Sequence, residues 1–112
     1  MCGRFLLYSS PEALERSFGL ELTDKRPNLQ PRYNIAPTQE VAVIGTKAGR
    51  RGLAMMHWGL VPSWAKDRSL AAKMINARGE SVHEKPAFRA AFKARRCLIP
   101  ADGFYEWHAE EG

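Results

Sequence analysis

The sequence predicts an α+β fold, a mixed or antiparallel β-sheet with short flanking helices. Three observations carry this. The apolar runs are of strand length and end in Gly, Pro, Ser or Asn clusters. Helical periodicity appears over only two brief segments. A polar, Gly-containing stretch in the middle separates two strand-like runs, as in a hairpin.

Taken in order, Arg4 to Tyr8 is a short strand of aromatic and apolar residues. Ser10 then caps a helix, with Pro11 at its first position, where a missing N–H costs nothing. Ala13, Leu14 and Phe18 form its apolar stripe, and Gly19 ends it. Leu20 to Pro37 is polar and carries three prolines, so it reads as an irregular loop; Thr23 to Pro31 resembles a linker but is too short to separate two domains. Val41 to Gly45 is a strand, 47–52 the hairpin turn, and Leu53 to Trp58 the partner strand. Gly59 to Asp67 is an aromatic-rich loop, and Leu70 to Met74 a helical turn. Asn76 to Glu84 fits either class. Pro86 to Lys93 is helical, with Ala87, Phe88, Ala91 and Phe92 on one face. Cys97 to Ile99 is a strand, Pro100 to Gly103 a turn, and Phe104 to His108 another strand. That strand enters a hairpin at Glu110-Glu111-Gly112 with nothing after it to pair, leaving an open edge. The expectation is therefore a single domain over 1–112 that forms the N-terminal portion of a longer, truncated one.

The 112 residues suffice for one small domain with a modest core. No segment approaches the roughly 20 apolar residues of a membrane span. Phe5 to Tyr8 is too short for the apolar core of a signal peptide. Cys2 and Cys97 lie far apart, without metal-ligand spacing, so neither a disulfide framework nor a zinc site is expected. These features point to a cytoplasmic protein with no membrane partner. The formal charge of +5 suggests a polyanionic partner. Arg50-Arg51, Lys66 with Arg68, and Lys93 with Arg95-Arg96 are the basic clusters, and Trp58 and Trp64 lie close to the second. Cations interleaved with aromatics suit single-stranded nucleic acid, where rings stack on bases and charges hold phosphates. A solvated basic face over core tryptophans accounts for the same pattern.

Cys2 is the residue with the most chemistry. Once Met1 is removed, it carries an α-amine and a thiol on adjacent carbons. The amine can form a Schiff base with an aldehyde, and the thiol can then close a thiazolidine ring. Alternatively the thiol attacks an acyl carbon with the amine as base. A chance cysteine at a frayed terminus is the bland alternative.

Five blocks resemble one family, the SOS response-associated peptidase (SRAP) family: Cys2-Gly3-Arg4-Phe5; Arg32-Tyr33-Asn34-Ile35-Ala36-Pro37-Thr38; Trp58-Gly59-Leu60-Val61-Pro62-Ser63-Trp64; Asn76-Ala77-Arg78-Gly79-Glu80; and 96–107, which contains Asp102-Gly103-Phe104-Tyr105-Glu106-Trp107. They occur in the family's order across nearly the whole chain. The resemblance implies a partly open, barrel-like sheet and action on abasic sites in single-stranded DNA. The ring-opened abasic sugar presents an aldehyde, which the N-terminal cysteine captures as a thiazolidine crosslink. Strand-cleaving, lyase-like activity and removal of the initiator methionine, autocatalytically or by an aminopeptidase, belong to the same family picture.

The resemblance assigns residues as follows. Cys2 is the crosslinking nucleophile, Asn76 an amide near the sugar, and Glu106 a proton-transfer carboxylate. Arg78 contacts phosphate, Arg4 and Asn34 line the site, and Pro37, Trp58 and Trp64 lie near the DNA cleft. No metal or organic cofactor is implied. The partner is abasic single-stranded DNA, with nucleoid association in a bacterium; the sequence leaves the oligomeric state open, a monomer being the simplest expectation. The family's later histidine, in a Gly-His-x-Arg-Met-Pro-like segment, has no counterpart here; His57, His83 and His108 stand in other contexts.

Read without the family, several of these residues have plainer roles. Asn76 could cap a turn. Glu106, alternating with Phe104 and His108, could face solvent. Cys97 reads as a buried core thiol, Met55-Met56 as core filling, and Glu80 as a structural cap. Arg95-Arg96 could hold phosphate or be solvated. Trp64 belongs at the surface rather than in the core. Two other functions compete. One is an N-terminal-nucleophile amidohydrolase, whose pattern the Asn-Ala-Arg and Asp-Gly-Phe-Tyr-Glu-Trp blocks do not match. The other is a single-strand-binding module without chemistry.

Overall fold

The computed structural model describes residues 2–21 and 26–108. Met1, part of the 23–31 loop and the expected hairpin at 110–112 lie outside the described residues. The fold is α+β, and every strand pair is antiparallel. One sheet has three strands, with β1 (Phe5–Leu7) between β2 (Arg32–Ile35) and β5 (Gly103–Phe104). The second is the hairpin of β3 (Glu40–Lys47) and β4 (Arg50–His57). A single antiparallel bridge, Ile44 to Leu98, attaches the 97–99 segment to β3.

Local signals set the first helix, α1 (Pro11–Phe18). The Ser10 hydroxyl accepts from the Ala13 N–H at 3.1 Å, Pro11 starts the first turn, and Gly19 closes it at φ 63°. Leu14 is the residue α1 buries, with Phe18 packed beside it. The hairpin is longer than its apolar runs suggest. β3 and β4 pair from Glu40–His57 to Lys47–Arg50, leaving Ala48-Gly49 as the two-residue turn. Both turn residues have positive φ, 52° and 77°, as a hairpin matching the strand twist requires. Val41 to Ile44 are all buried, so β3 is covered on both faces, which explains an unbroken apolar run in place of alternation. β4 is covered on one face. Met55 packs against the core, whereas Met56 points outward, 52% exposed; the reading of both methionines as core filling holds for Met55 alone.

Three further expectations change. Arg32–Ile35 is a strand, not loop; its partner β1 supplies the pairing that local sequence does not show. The helix expected from Pro86 begins as turns and becomes regular as α2 (Arg89–Ala94). The strand expected over 104–108 is the two-residue β5, because the short β1 offers few groups to pair. Cys97 is exposed, not buried. Its segment meets β3 only through Leu98, whose N–H and C=O pair with Ile44 at 2.9 and 2.7 Å. With one point of attachment, Cys97, Leu98 and Ile99 stand at the sheet edge.

The core joins both sheets and α1: Phe5, Leu7, Leu14, Leu20, Ile35 and the Val41–Ile44 run. Cys2 and Trp58 pack against it from the side that carries the candidate residues.

Candidate functional site

Cys2 precedes β1 and is half-buried against the core. Its Sγ lies 3.6 Å from the Arg4 carbonyl oxygen, a weak S–H···O contact that turns the thiol back along its own strand. Asn76, distant in sequence, reaches the same residue: its Nδ2 donates to the Cys2 carbonyl oxygen at 2.7 Å. A donor at that distance fixes the backbone carrying both nucleophiles.

What holds Asn76 there is visible in the backbone. Trp58, directly after β4, stacks edge-on against Phe5 with ring centroids 5.4 Å apart. Its indole Nε1 donates to the Ile75 carbonyl oxygen at 2.9 Å, one residue before Asn76. Leu60 N–H donates to the Met74 carbonyl oxygen at 3.0 Å. Between these braces lies Gly59, at φ 130°, where a Cβ would sit 2.4 Å from the Ala71 backbone oxygen. Any side chain there would push the 59–60 segment off the 3₁₀ helix Ser69–Lys73. The Trp58-Gly59-Leu60 block is therefore a clasp that presents Asn76 to Cys2. Trp58, expected near a DNA cleft, is half-buried in this clasp.

A groove of about 640 Å³ lies beside Cys2, lined by Gly3, Arg4, Asn34, Tyr105 and Trp107. Arg4 donates to Asn34 Oδ1 at 3.0 Å, which joins two of the expected site residues across β1 and β2. The Tyr105 N–H donates to the Arg4 carbonyl at 3.0 Å, and its phenol donates to the Tyr33 carbonyl at 2.7 Å. Tyr105 thus pins the segment carrying Glu106 alongside the strand that follows Cys2. Glu106 itself is exposed. Trp107 is 78% exposed at the groove. Sequence reading treated Tyr105 and Trp107 only as apolar strand residues; an aromatic pair flanking a carboxylate was the available signal.

Asp102 anchors the same segment from its other end. Its carboxylate accepts from the Ser9 hydroxyl at 2.6 Å, the Ser9 N–H at 2.9 Å and the Tyr8 N–H at 2.7 Å. The Ser9 hydroxyl, ahead of the two backbone amides, holds the Asp102 carboxyl below the ordinary aspartate range.

The remaining candidates are spread around this centre. Arg78 is exposed two residues after Asn76, where its carbonyl accepts from the Ser81 N–H in a turn. Pro37 is half-buried before β3, next to Thr38, whose N–H donates to the Trp58 carbonyl at 3.0 Å. Trp64 is 60% exposed, as expected for a surface residue, and lines a different cavity with Arg89 and Arg95. A concavity of about 950 Å³ lies beside the hairpin, around Val43, Ala54 and Met56, and includes none of these candidates. Among the described residues no group of three or more His, Cys, Asp or Glu could hold a metal ion, and no helix is long and apolar enough to cross a membrane.

The structure thus brings Cys2, Asn76, Arg4 and Asn34 into direct or shared contact, with Tyr105 carrying Glu106 to the same edge. Against known proteins, the chain is 46% identical over 107 residues to the abasic site processing protein YoaM of Bacillus subtilis, covering 96% of this chain and 47% of that one. It is 43% identical to the abasic site processing protein YoqW of the same organism, over 96% of this chain and 48% of that one. It is 32% identical to the abasic site processing protein HMCES of Mus musculus, covering 100% of this chain and 38% of that one. A solved structure of a phage-related protein from Bordetella bronchiseptica superposes with a TM-score of 0.73 at 31% identity, over 99% of this chain and 49% of that chain. The chain spans about half the length of the Bacillus relatives it matches. The family model for SOS response associated peptidase (SRAP) matches residues 1–112, and the chain belongs to that family.

Proposed function

We propose that this chain acts on abasic sites in single-stranded DNA, with Cys2 as the residue that joins the ring-opened sugar. Hydrolysis of the Met1–Cys2 peptide bond frees the α-amine. The amine attacks the sugar aldehyde, a C–N bond forms, and the carbonyl oxygen leaves as water, giving an imine. The Cys2 thiol then adds to the imine carbon, and its proton passes to nitrogen. The product is a thiazolidine, and the net loss is one water. Glu106 delivers the proton that lets the oxygen depart. Asn76 holds the Cys2 backbone so that amine and thiol meet one carbon, a gain of orientation rather than of new reactivity. Arg4 and Asn34 line the sugar's approach, and Arg78 takes a neighbouring phosphate.

The observation that carries this reading is the 2.7 Å hydrogen bond from Asn76 to Cys2. It puts a non-nucleophilic amide on the one residue that has both an amine and a thiol. Relatives named as abasic site processing proteins support the choice of substrate. The test mixes the chain with a single strand bearing one abasic site and reads a heat-stable crosslinked band. Wild type forms the band. Cys2→Ala does not. Cys2→Ser forms only an adduct that needs borohydride to survive, because an oxygen ring closes less durably. A heat-stable band with Cys2→Ala would exclude the thiazolidine route, and glutamine hydrolysis without any band would favour amidohydrolase chemistry.

A further inference from the structure

Among the described residues, Ala48 and Thr38 have positive φ without being glycine, at 52° and 71°. The hairpin turn accounts for Ala48. Thr38 has no such excuse, and a β-branched side chain makes that conformation costly. It is third in a four-residue turn, Ala36-Pro37-Thr38-Gln39, closed by the Gln39 N–H on the Ala36 carbonyl at 3.3 Å. Proline second and positive φ third are the marks of a type II turn, whose third place favours Gly or Asn. With threonine there, groups outside the turn's own main chain must hold it. The Gln39 side chain folds back, and its Oε1 accepts from the Ala36 N–H at 3.0 Å and from Arg32 Nη2 at 2.8 Å. Arg32 Nη1 donates to the Glu40 carbonyl at 2.6 Å. The turn is thus closed twice, and Arg32 of β2 braces it against the start of β3.

The turn spends its outward main-chain groups on one residue. The Thr38 N–H donates to the Trp58 carbonyl at 3.0 Å, and the Gln39 carbonyl accepts from the Trp58 N–H at 2.9 Å. Trp58 is the residue whose indole donates to the Ile75 carbonyl, one residue before the Asn76 that bonds to Cys2. Rotating Thr38 back to negative φ would turn its N–H and the Gln39 carbonyl away from each other, so that both could no longer meet Trp58. We propose that Arg32 and Gln39 are positioning residues for the Cys2 site. They hold Thr38 in its left-handed conformation, the turn then fixes Trp58, and Trp58 fixes the segment that presents Asn76. A brace serving only the β2–β3 connection would not need the strained residue to face Trp58. The inference rests on the Cys2 reading for the reaction it serves, but not for the placement of Trp58.

The experiment removes the brace and then removes the need for it. Gln39→Ala takes away the acceptor shared by Ala36 and Arg32. Well below the melting temperature, it slows crosslinking at saturating abasic DNA roughly tenfold and leaves the dissociation constant for unmodified strand in place. Gln39→Glu keeps the acceptor and keeps the rate. Gln39→Ala with Thr38→Gly recovers the wild-type rate, because glycine takes up positive φ unaided. Hydrogen exchange of the Trp58 indole N–H, followed by NMR, reads the same device without DNA: faster in Gln39→Ala, restored in the pair with Thr38→Gly. A wild-type rate and wild-type indole exchange in Gln39→Ala would overturn the proposal. So would a loss that Thr38→Gly does not repair, since the brace would then act by another route. No crosslink from the wild-type chain would overturn the reaction assigned above, and the indole exchange would then decide the placement of Trp58 by itself.

Discussion

An indole near a nucleic-acid site can stack on a base or hold a loop, and Trp58 separates the two. Its ring already has a partner in Phe5, and its N–H already has an acceptor in the Ile75 carbonyl. Trp58→Phe keeps the aromatic contact and removes the hydrogen bond, leaving a half-buried carbonyl less well satisfied. The cost is about 1 kcal/mol. If the bond serves to place Asn76, that loss falls on the crosslinking step: the rate at saturating abasic DNA drops about fivefold, while the dissociation constant for unmodified strand stays put. If Trp58 stacked on DNA, the pattern would reverse, with weaker binding and an unchanged rate. Single-turnover crosslinking beside anisotropy distinguishes the outcomes. This role was not legible in the sequence. A tryptophan between a strand and a Gly-Leu-Val-Pro loop reads equally as core or as surface. Only the fold reveals that its N–H faces a carbonyl one residue from Asn76. The Cys2–Asn76 pairing was likewise available through resemblance alone, since nothing in their spacing brings them together.

At the level of elements, the segment bearing Glu106 is held by few bonds. β5 has two residues, so Tyr105 and Asp102 do much of the anchoring. The Asp102 carboxylate accepts three bonds from Tyr8 and Ser9, and these favour its charged form. Its folded pKa is depressed, so its contribution is complete above the unfolded carboxylate pKa of about 3.9 and is lost as pH falls through the folded value. The melting temperature of wild type should therefore fall below about pH 4, and Asp102→Asn should remove part of that acid dependence. At pH 7 the same variant costs about 1 kcal/mol and no more, because the side chain is exposed and solvent screens the charge. A variant with the wild-type acid slope would show that Asp102 is not the group titrating. The elements legible in advance are those whose causes are local. Ser10, Pro11 and Gly19 specify α1 within a few residues, and Ala48-Gly49 sits inside the stretch read as a turn. β2 and β5 were missed or overextended because their limits come from β1, whose three residues decide how far a partner can pair. Cys97 was misread for the same reason: an apolar run looks like a core strand until its single bridge to β3 is seen.

Across the whole molecule, the charge of +5 is not one uniform field, and the structure divides the basic clusters by what already occupies them. Arg50 pairs with Glu21 at 3.6 Å, and Arg51 donates to the Phe18 carbonyl at 3.0 Å. Both serve to tie the tip of the hairpin to the end of α1. Arg78 sits exposed beside Asn76, on the side of Cys2. Net charge attracts a polyanion at long range, but counterions are released only where a cation meets a phosphate. The two arginine groups should then separate in a salt titration, although a count of charges treats them alike. Arg50→Ala with Arg51→Ala removes two charges and should leave the slope of log K against log salt for a single strand unchanged, lowering the melting temperature instead. Arg78→Ala removes one charge and should lower that slope by about 0.7, with little change in melting. A slope that tracked total charge, falling more for the hairpin pair than for Arg78, would mean that the strand is held by the overall field rather than by the edge where Cys2, Asn76 and Arg4 converge.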